Sequence, residues 1–202
     1  GANLGVIGVC ASAGDQSPHF LLYGDLEAER RERRGCTERQ EIARRVGRAV
    51  GEALECTTPS DEEDACAHRV RELELSAIEI SRQRRDQAEA AYKDYVDSGK
   101  DPNGWWPRRN REMVEAFDAG RALPPLAMEL HGLRLDGLGI VTNPFELFLD
   151  YSHRIQARSP APQTAVVQLT NGRGMYLPTA RALAGGHYSA MPAVCAVGPR
   201  GG

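Results

Sequence analysis

The chain has 202 residues, of which 41% are hydrophobic and 26% are charged, and its formal net charge is −3. This length fits one ordinary domain with a single core, and the composition is that of a globular protein. The small negative charge gives no general attraction to nucleic acid, which is therefore not expected as a partner, and no signal peptide or apolar run of the roughly 20 residues that span a membrane is visible.

The first predicted element is a fully buried strand over the apolar residues 4–10. It leads into the turn-forming pentapeptide 14–18, which places Ser17 just past the end of that strand. A helix is predicted over about 37–55, because Thr37 and Gln40 have the spacing of a capping box. One face of this helix is apolar and is expected to pack on a core; it carries Ile42, Val46, Ala49, Val50 and Ala53.

The middle of the chain predicts a strand and two helices. Alternating apolar residues over 70–80 indicate a strand with one irregularity of register, and residues 82–96 have a helical composition. After a turn at 101–104, Trp105 and Trp106 are expected to open an exposed insertion that leads to a short helix near 109–118. The two tryptophans fit a lid or an apolar contact surface, and equally a core residue with its neighbour covering it.

The clearest element is a hairpin, with Asp136-Gly137 as a two-residue turn between strands at 127–135 and 138–141. A helix over 145–157 and a buried strand over 164–169 are predicted to follow. Because strands, helices and a hairpin alternate, the expected fold class is α/β, with a mixed sheet, flanking helices and one Asp-Gly hairpin. The start without Met and the loop-like end at 198–202 predict a fragment that forms an incomplete single domain.

The five cysteines show no C-x-x-C spacing and are odd in number, so neither a zinc ribbon nor a disulfide framework is indicated. Cys10 and Cys195 lie among apolar residues and are expected to be small buried hydrophobes.

Three polar side chains follow predicted strands: Ser17, Glu146 and Tyr176. Strand ends at one edge of a sheet meet at a shared crevice, where α/β folds bind their ligands, so we expect the three to cluster. Each also has a purely structural explanation. Ser17 fits an ordinary turn, Glu146 would complement a helix dipole, and the ring of Tyr176 would pack in a core.

The same residues carry a family resemblance. Residues 14–18 match the G-D-x-S-P motif, residues 143–147 match a P-x-E segment, and residues 171–179 match N-x-x-x-x-Y-[IL]-x-T, with Tyr188 twelve residues beyond Tyr176. In these motifs the chain resembles the catalytic region of neutral/alkaline ceramidases, zinc-dependent amidases that release a fatty acid from ceramide. The resemblance is closer to short bacterial relatives, and it covers roughly 1–55 and 125–202 but not the largely helical stretch at about 57–120.

The resemblance implies Glu146 and Tyr176 as zinc ligands, with two further histidine ligands upstream of the serine motif. The chain's own histidines do not occupy those positions; they are His19, His68, His131, His153 and His187. Ser17 would hold the scissile carbonyl, stabilise the oxyanion or act as nucleophile, and Tyr188 would donate a hydrogen bond to the oxyanion. His187 is either an acid/base group or a flanking loop residue.

The function expected from this resemblance is zinc-dependent hydrolysis of the amide bond of an N-acyl lipid, with Zn²⁺ as cofactor. A lipid substrate of this kind is compatible with transient contact between the protein and a membrane surface. A secreted or periplasmic location is compatible with the sequence. Two alternatives remain. One is a non-catalytic lipid- or carbohydrate-binding relative without the metal. The other is a different serine hydrolase, which is disfavoured because residues 14–18 are not a G-x-S-x-G elbow and no Asp/His pair accompanies Ser17.

Overall fold

The computed structural model describes residues 7–19, 22–57 and 65–198. The chain divides into two compact units. The first, here called the main unit, comprises Gly1–Asp15 and Ala65–Gly202; the second, the helical unit, comprises Gln16–Asp64. Each unit is described separately below.

The helices and strands follow one another in chain order, with two short 3₁₀ turns near the end. They are α1 (Gly24–Arg34), α2 (Glu38–Glu55), β1 (Cys66–Leu75), α3 (Arg82–Asp97), α4 (Trp105–Asp118), β2 (Leu126–Leu135), β3 (Leu138–Thr142), β4 (Phe145–Leu147), α5 (Leu149–Arg158), β5 (Gln163–Val167), β6 (Met175–Leu177), α6 (Ala180–Gly185) and the 3₁₀ turns Tyr188–Ala190 and Pro192–Val194.

The main unit contains a four-stranded sheet in the order β1-β2-β3-β5. The first two pairings are antiparallel, and β3 pairs with β5 in parallel. Leu135 and Leu138 face each other across the turn, and Asp136 takes a positive φ of 49°, as a two-residue hairpin turn requires. The mixed sheet with flanking helices and the Asp-Gly hairpin are therefore confirmed.

A second, two-stranded parallel sheet pairs β4 with β6. The sequence predicted a helix over 145–157, and this is wrong for its first three residues, which form β4, while α5 begins at Leu149. Phe145 and Leu147 are buried, so the strand is held by packing on both sides of Glu146. Three residues are too few to show a period of their own, which explains the error.

Two clusters of buried apolar side chains form the core of the main unit. One lies under α3, α4 and the 3₁₀ turns and includes Met113 and Cys195; the other lies between the sheets and includes Phe145 and Val166. Helix α4 begins at Trp105 rather than near 109, with Gly104 at the N-cap position. Trp106 packs against the first cluster, whereas Trp105 is 39% exposed.

The predicted first strand is wrong where the structure describes it. Residues 7–10 form no strand, and Ile7 and Val9 are 89% and 58% exposed; residues 4–6 lie outside the described residues. The segment makes only a single antiparallel bridge, between Ala11 and Val167 at the edge of the sheet. Cys10 is accordingly exposed rather than buried, whereas Cys195 is buried as predicted.

Strand β1 likewise ends earlier than predicted, at Leu75, and Ala77 makes one isolated bridge to Val197. Ile78 is buried in the first core cluster although it is not in a strand. The later strand was placed well, since β5 covers Gln163–Val167.

The helical unit consists of α1 and α2. Thr37 and Gln40 form the predicted capping box, and α2 ends at Glu55 as expected. The apolar face of α2 does not pack as expected, because Val46 is 59% exposed and Val50 is also exposed. Among the described residues of this unit, the buried side chain is instead that of Glu41, which accepts hydrogen bonds from Arg34, Arg44 and Arg45. No helix in the described parts of the chain is long and apolar enough to cross a membrane.

Candidate active site

Glu146 and Tyr176 lie side by side at the centre of the β4·β6 pair. They are register partners in this parallel pairing, so their side chains leave the sheet on the same face. Burial raises the pKa of the Tyr176 phenol above its usual range, and a hydrogen bond to the Glu146 carboxylate and the charge of that carboxylate raise this pKa further. Tyr176 therefore holds its proton more firmly than a free phenol does.

Tyr188 joins this pair from the 3₁₀ turn that follows α6. The rings of Tyr176 and Tyr188 meet edge to face, with centroids 5.9 Å apart and an angle of 77° between the planes. Tyr188 is 57% exposed, so a large part of this residue is in contact with solvent. Three of the four predicted site residues are thus close together: Glu146, Tyr176 and Tyr188.

A tight chain path sets the position of Tyr176. The Gly174 N–H donates to the Pro144 carbonyl at 2.8 Å, and a Cβ on Gly174 would lie 2.5 Å from the Phe145 ring. Only glycine permits this approach. The stretch leading to Tyr176 also contains three non-glycine residues with positive φ, a conformation that costs roughly 1–2 kcal/mol each: Leu169, Asn171 and Met175. Strain of this kind is concentrated at functional sites, where the surrounding structure maintains it.

The first two residues of the pentapeptide motif hold β4 in place. The Gly14 N–H donates to the Leu147 carbonyl at 2.8 Å, and a Cβ on Gly14 would lie 2.3 Å from the Glu146 carbonyl oxygen. Asp15 Oδ1 accepts from the Leu149 N–H at 2.8 Å and so caps the start of α5. Gly14 and Asp15 therefore support the strand that carries Glu146, a role that the motif's sequence did not reveal.

Gln168 was not singled out from the sequence, although it links the same elements. Its side chain is buried, and Oε1 accepts from the N–H groups of Ala13 and Leu147 at 3.1 and 2.9 Å. It thereby joins the N-terminal segment to β4. A polar residue inside the predicted buried strand over 164–169 was the available signal, but its partners are far away in the sequence.

Ser17 belongs to the helical unit. Its hydroxyl oxygen accepts from the His19 N–H at 3.1 Å, a local turn contact, and the side chain is exposed. Its predicted position depended on a buried strand over residues 4–10, and residues 7–10 form no strand. Its expected proximity to Glu146 and Tyr176 stays a prediction. His187 is exposed and precedes the turn of Tyr188, and its side chain makes no capping bond there.

A second polar cluster surrounds His131 on β2. His131 Nδ1 lies 3.0 Å from His68 Nε2 on β1, and His131 Nε2 lies 2.6 Å from Asn171 Nδ2 and 3.3 Å from Glu129 Oε2. The two imidazole planes are nearly parallel, 13° apart. The contact between Asn171 and His131 links the stretch with positive φ before Tyr176 to the four-stranded sheet. The sequence could have indicated the pair only once the register of β1 on β2 was known.

Glu146 and Tyr176 offer two of the protein ligands that a zinc site needs. Glu146 and Tyr176 offer a carboxylate and a phenol oxygen on neighbouring strands, whereas a zinc ion usually takes three or four protein ligands. Within the described ranges, no group of three or more His, Cys, Asp and Glu side chains is arranged to hold a metal ion. The two oxygens would therefore need partners from outside these ranges.

Comparison with family models, curated proteins and solved structures found no match to this chain. The ceramidase resemblance thus rests on the quoted motifs alone.

Proposed function

We propose that the chain carries part of the active site of a zinc-dependent hydrolase that cleaves the amide bond of a ceramide-like N-acyl lipid. The observation that carries the proposal is the register pairing of Glu146 with Tyr176, together with the ring of Tyr188 packed against Tyr176. The motif resemblance names these same three residues. They lie 30 and 12 residues apart in sequence, and their meeting was not required by local structure.

Glu146 and Tyr176 would hold the zinc ion, with two histidines from outside the described residues completing the site. When bound, the ion would supply a Lewis acid that polarises the amide carbonyl. The Glu146 carboxylate would neutralise part of the charge of the cation, and Tyr176 would lose its phenol proton to solvent when it binds the ion.

Tyr188 and Ser17 would act on the substrate rather than on the metal. The hydroxyl of Tyr188, which belongs to an exposed residue, would donate a hydrogen bond to the carbonyl oxygen as negative charge develops on that oxygen. Ser17 would orient that carbonyl. Ser17 also has the hydroxyl that a nucleophile needs, so substitution of Ser17 is needed to test its role in the reaction.

The test measures bound zinc and the hydrolysis of a panel of N-acyl lipids in a polypeptide that includes the two histidines. We expect Glu146→Gln to lose most of the metal and hence the activity, because it removes a charged ligand. Ser17→Ala should keep the metal and lose on the order of 10²–10³ in turnover, as expected for the loss of one oxyanion-stabilising donor. Glu72→Gln, which removes an exposed carboxylate from β1, is the control.

The 202-residue chain by itself should bind zinc weakly and show no hydrolysis, since it would supply only two ligands. Tightly held stoichiometric zinc in this chain would contradict the assignment of the missing ligands. A fully active Ser17→Ala variant would reduce Ser17 to a turn residue.

A non-catalytic lipid- or carbohydrate-binding relative is the alternative, because Glu146 and Tyr176 are only two donors within the described residues. It predicts ligand binding without zinc and without hydrolysis even when the two histidines are present. The same zinc and hydrolysis measurements therefore distinguish the two functions.

A further inference from the structure

The main unit contains a cavity of about 970 Å³ between α3, α4 and the segment from α6 to the second 3₁₀ turn. This volume is at the upper end of the range for sites that bind drug-sized ligands. Glu146, Tyr176 and Tyr188 are not among its lining residues, so it is separate from the candidate active site. Most of the wall is apolar, including Ile78, Ala91, Trp106, Met113, Leu183 and Met191.

One cation in the wall lacks an acidic partner. Arg84, in the first turn of α3, is partly buried, and its guanidinium donates to the backbone carbonyl of Glu79. No carboxylate of the described residues lies within ion-pair distance of Arg84, whereas the adjacent Arg85 pairs with both Glu89 and Asp118. A partly buried guanidinium bound only to a neutral carbonyl can still accept a negatively charged ligand.

Two further features favour an anion at this end of the cavity. The N-terminus of the 16-residue helix α3 carries the positive end of the helix dipole. The side chains of Gln83 and Gln87, which flank Arg84 along the helix, also line the cavity and offer amide donors. Glu79 lines the cavity as well, but it is exposed, so its carboxylate remains hydrated.

We propose that this cavity binds a single-chain carboxylate, with the alkyl chain among the apolar side chains and the carboxylate on Arg84. The apolar wall selects a tail without polar groups, and the guanidinium selects a planar anion that it can bind through two parallel hydrogen bonds. The proposal does not depend on zinc or on hydrolysis, because the cavity shares no side chain with the candidate active site.

The test uses calorimetric titration of the 202-residue chain with three ligands of equal chain length, each below its micelle concentration: dodecanoate, dodecanol and dodecylamine. We expect dodecanoate to bind one to one and to bind tightest. Arg84→Met should weaken dodecanoate about tenfold or more, because a hydrogen bond to a charged group is lost, and should leave dodecanol unchanged. Arg71→Met, which removes an exposed charge from β1, is the control and should change nothing.

A second variant tests the apolar wall of the cavity without changing Arg84. Ala91→Phe adds bulk to the apolar wall and should weaken dodecanoate and dodecanol alike, with the helical circular dichroism unchanged. Tightest binding of dodecylamine would assign the cavity to Glu79 and a cationic ligand, and would overturn the proposal. Absence of binding by all three chains, or an Arg84→Met variant that binds dodecanoate as well as the parent does, would also overturn it.

Discussion

At Gly14 the absence of a side chain decides whether the N-terminal segment can reach the strand that carries Glu146. The backbone of Gly14 packs closely on the carbonyl of Glu146, and its N–H donates a hydrogen bond to the carbonyl of Leu147. Any larger residue would displace β4 or break the contact of Asp15 with the start of α5. The motif is thus structural in its first half, whatever Ser17 does in its second.

We predict that Gly14→Ala destabilises the main unit by about 1–3 kcal/mol, the usual cost of inserting an atom into a close-packed contact. Urea denaturation followed by tryptophan fluorescence measures the loss, since both tryptophans are in this unit. Gly8→Ala is the matched control, because a Cβ there meets no atom within 4 Å. Equal midpoints for the two variants would mean that the segment around Gly14 does not pack as described.

The phenol of Tyr176 gives a second prediction, which concerns pH. The pKa of this phenol is raised in the folded chain, whereas it is about 10 in the unfolded chain. Stability should therefore be fully present below pH 10 and should fall as the pH rises above it, because only the unfolded state then releases the proton. The ultraviolet absorbance of phenolate follows the titration, and Tyr176→Phe identifies its signal.

Glu146→Gln should lower the pKa of Tyr176 toward its usual value without reaching it, because burial is the larger cause of the shift and remains. Glu72→Gln should leave the titration unchanged. A Tyr176 titration that is the same in Glu146→Gln and the parent would show that the two side chains do not interact.

At the scale of elements, the sequence predicted those whose signal is local. The hairpin of β2 and β3 combines alternating apolar residues with Asp136-Gly137, and α2 begins at a capping box, so both were placed closely. Strands β4 and β6 have three residues each, and their pairing depends on Gly174 and Phe145 meeting across the fold. Nothing within either strand could have shown this.

The apolar run at the start of the chain shows the opposite error. Hydrophobic residues at 7–10 suggested burial, but a strand is buried only when neighbours cover it. The described contacts of this segment lie at the edge strand β5 and at Gln168, which follows it. The candidate site was accordingly predicted in part for the wrong reason. Glu146 and Tyr176 do meet, within a small sheet of their own rather than at the ends of the large sheet's strands.

Helices α1 and α2 are joined by a buried carboxylate that three arginines surround. The hydrogen bonds from these arginines hold the pKa of Glu41 far below its usual range. The stabilisation is therefore present at neutral pH and is lost as the pH falls below about 4, where the unfolded chain takes up the proton. Removing this charge leaves the arginines without their common partner.

We predict that Glu41→Gln speeds amide hydrogen exchange in α1 and α2 several-fold at neutral pH, and that the difference from the parent shrinks in acid. Exchange measured residue by residue on the whole chain separates the helical unit from the main unit. Glu52→Gln, which breaks only the exposed pair with Arg48, should have little effect. An equal effect of both substitutions would show that burial of Glu41 adds nothing.

At the scale of the whole molecule, the main unit contains two separate candidate sites. One is the polar group of Glu146, Tyr176 and Tyr188, and the other is the apolar cavity with Arg84 in its wall. The segment from α6 through the 3₁₀ turns contributes to both, since it carries Tyr188 and also lines the cavity with Ala190 and Met191. The first site rests on motif resemblance and geometry together, whereas the second rests on geometry alone.

The division of the chain into two units bears on how far the length of the stretch between Asp15 and Ala65 can change. Gln16–Asp64 separates Asp15 from the rest of the main unit, although Asp15 bonds to Leu149, 134 residues away. Closing so long a loop depends only logarithmically on its length, so deleting the whole helical unit would ease closure by about 0.4 kcal/mol. The length of the stretch between Asp15 and Ala65 therefore adds little to the free-energy cost of forming the contacts of Gly14 and Asp15. A change in the length of this stretch should therefore cost the main unit less free energy of loop closure than a single methyl group at Gly14 costs in packing.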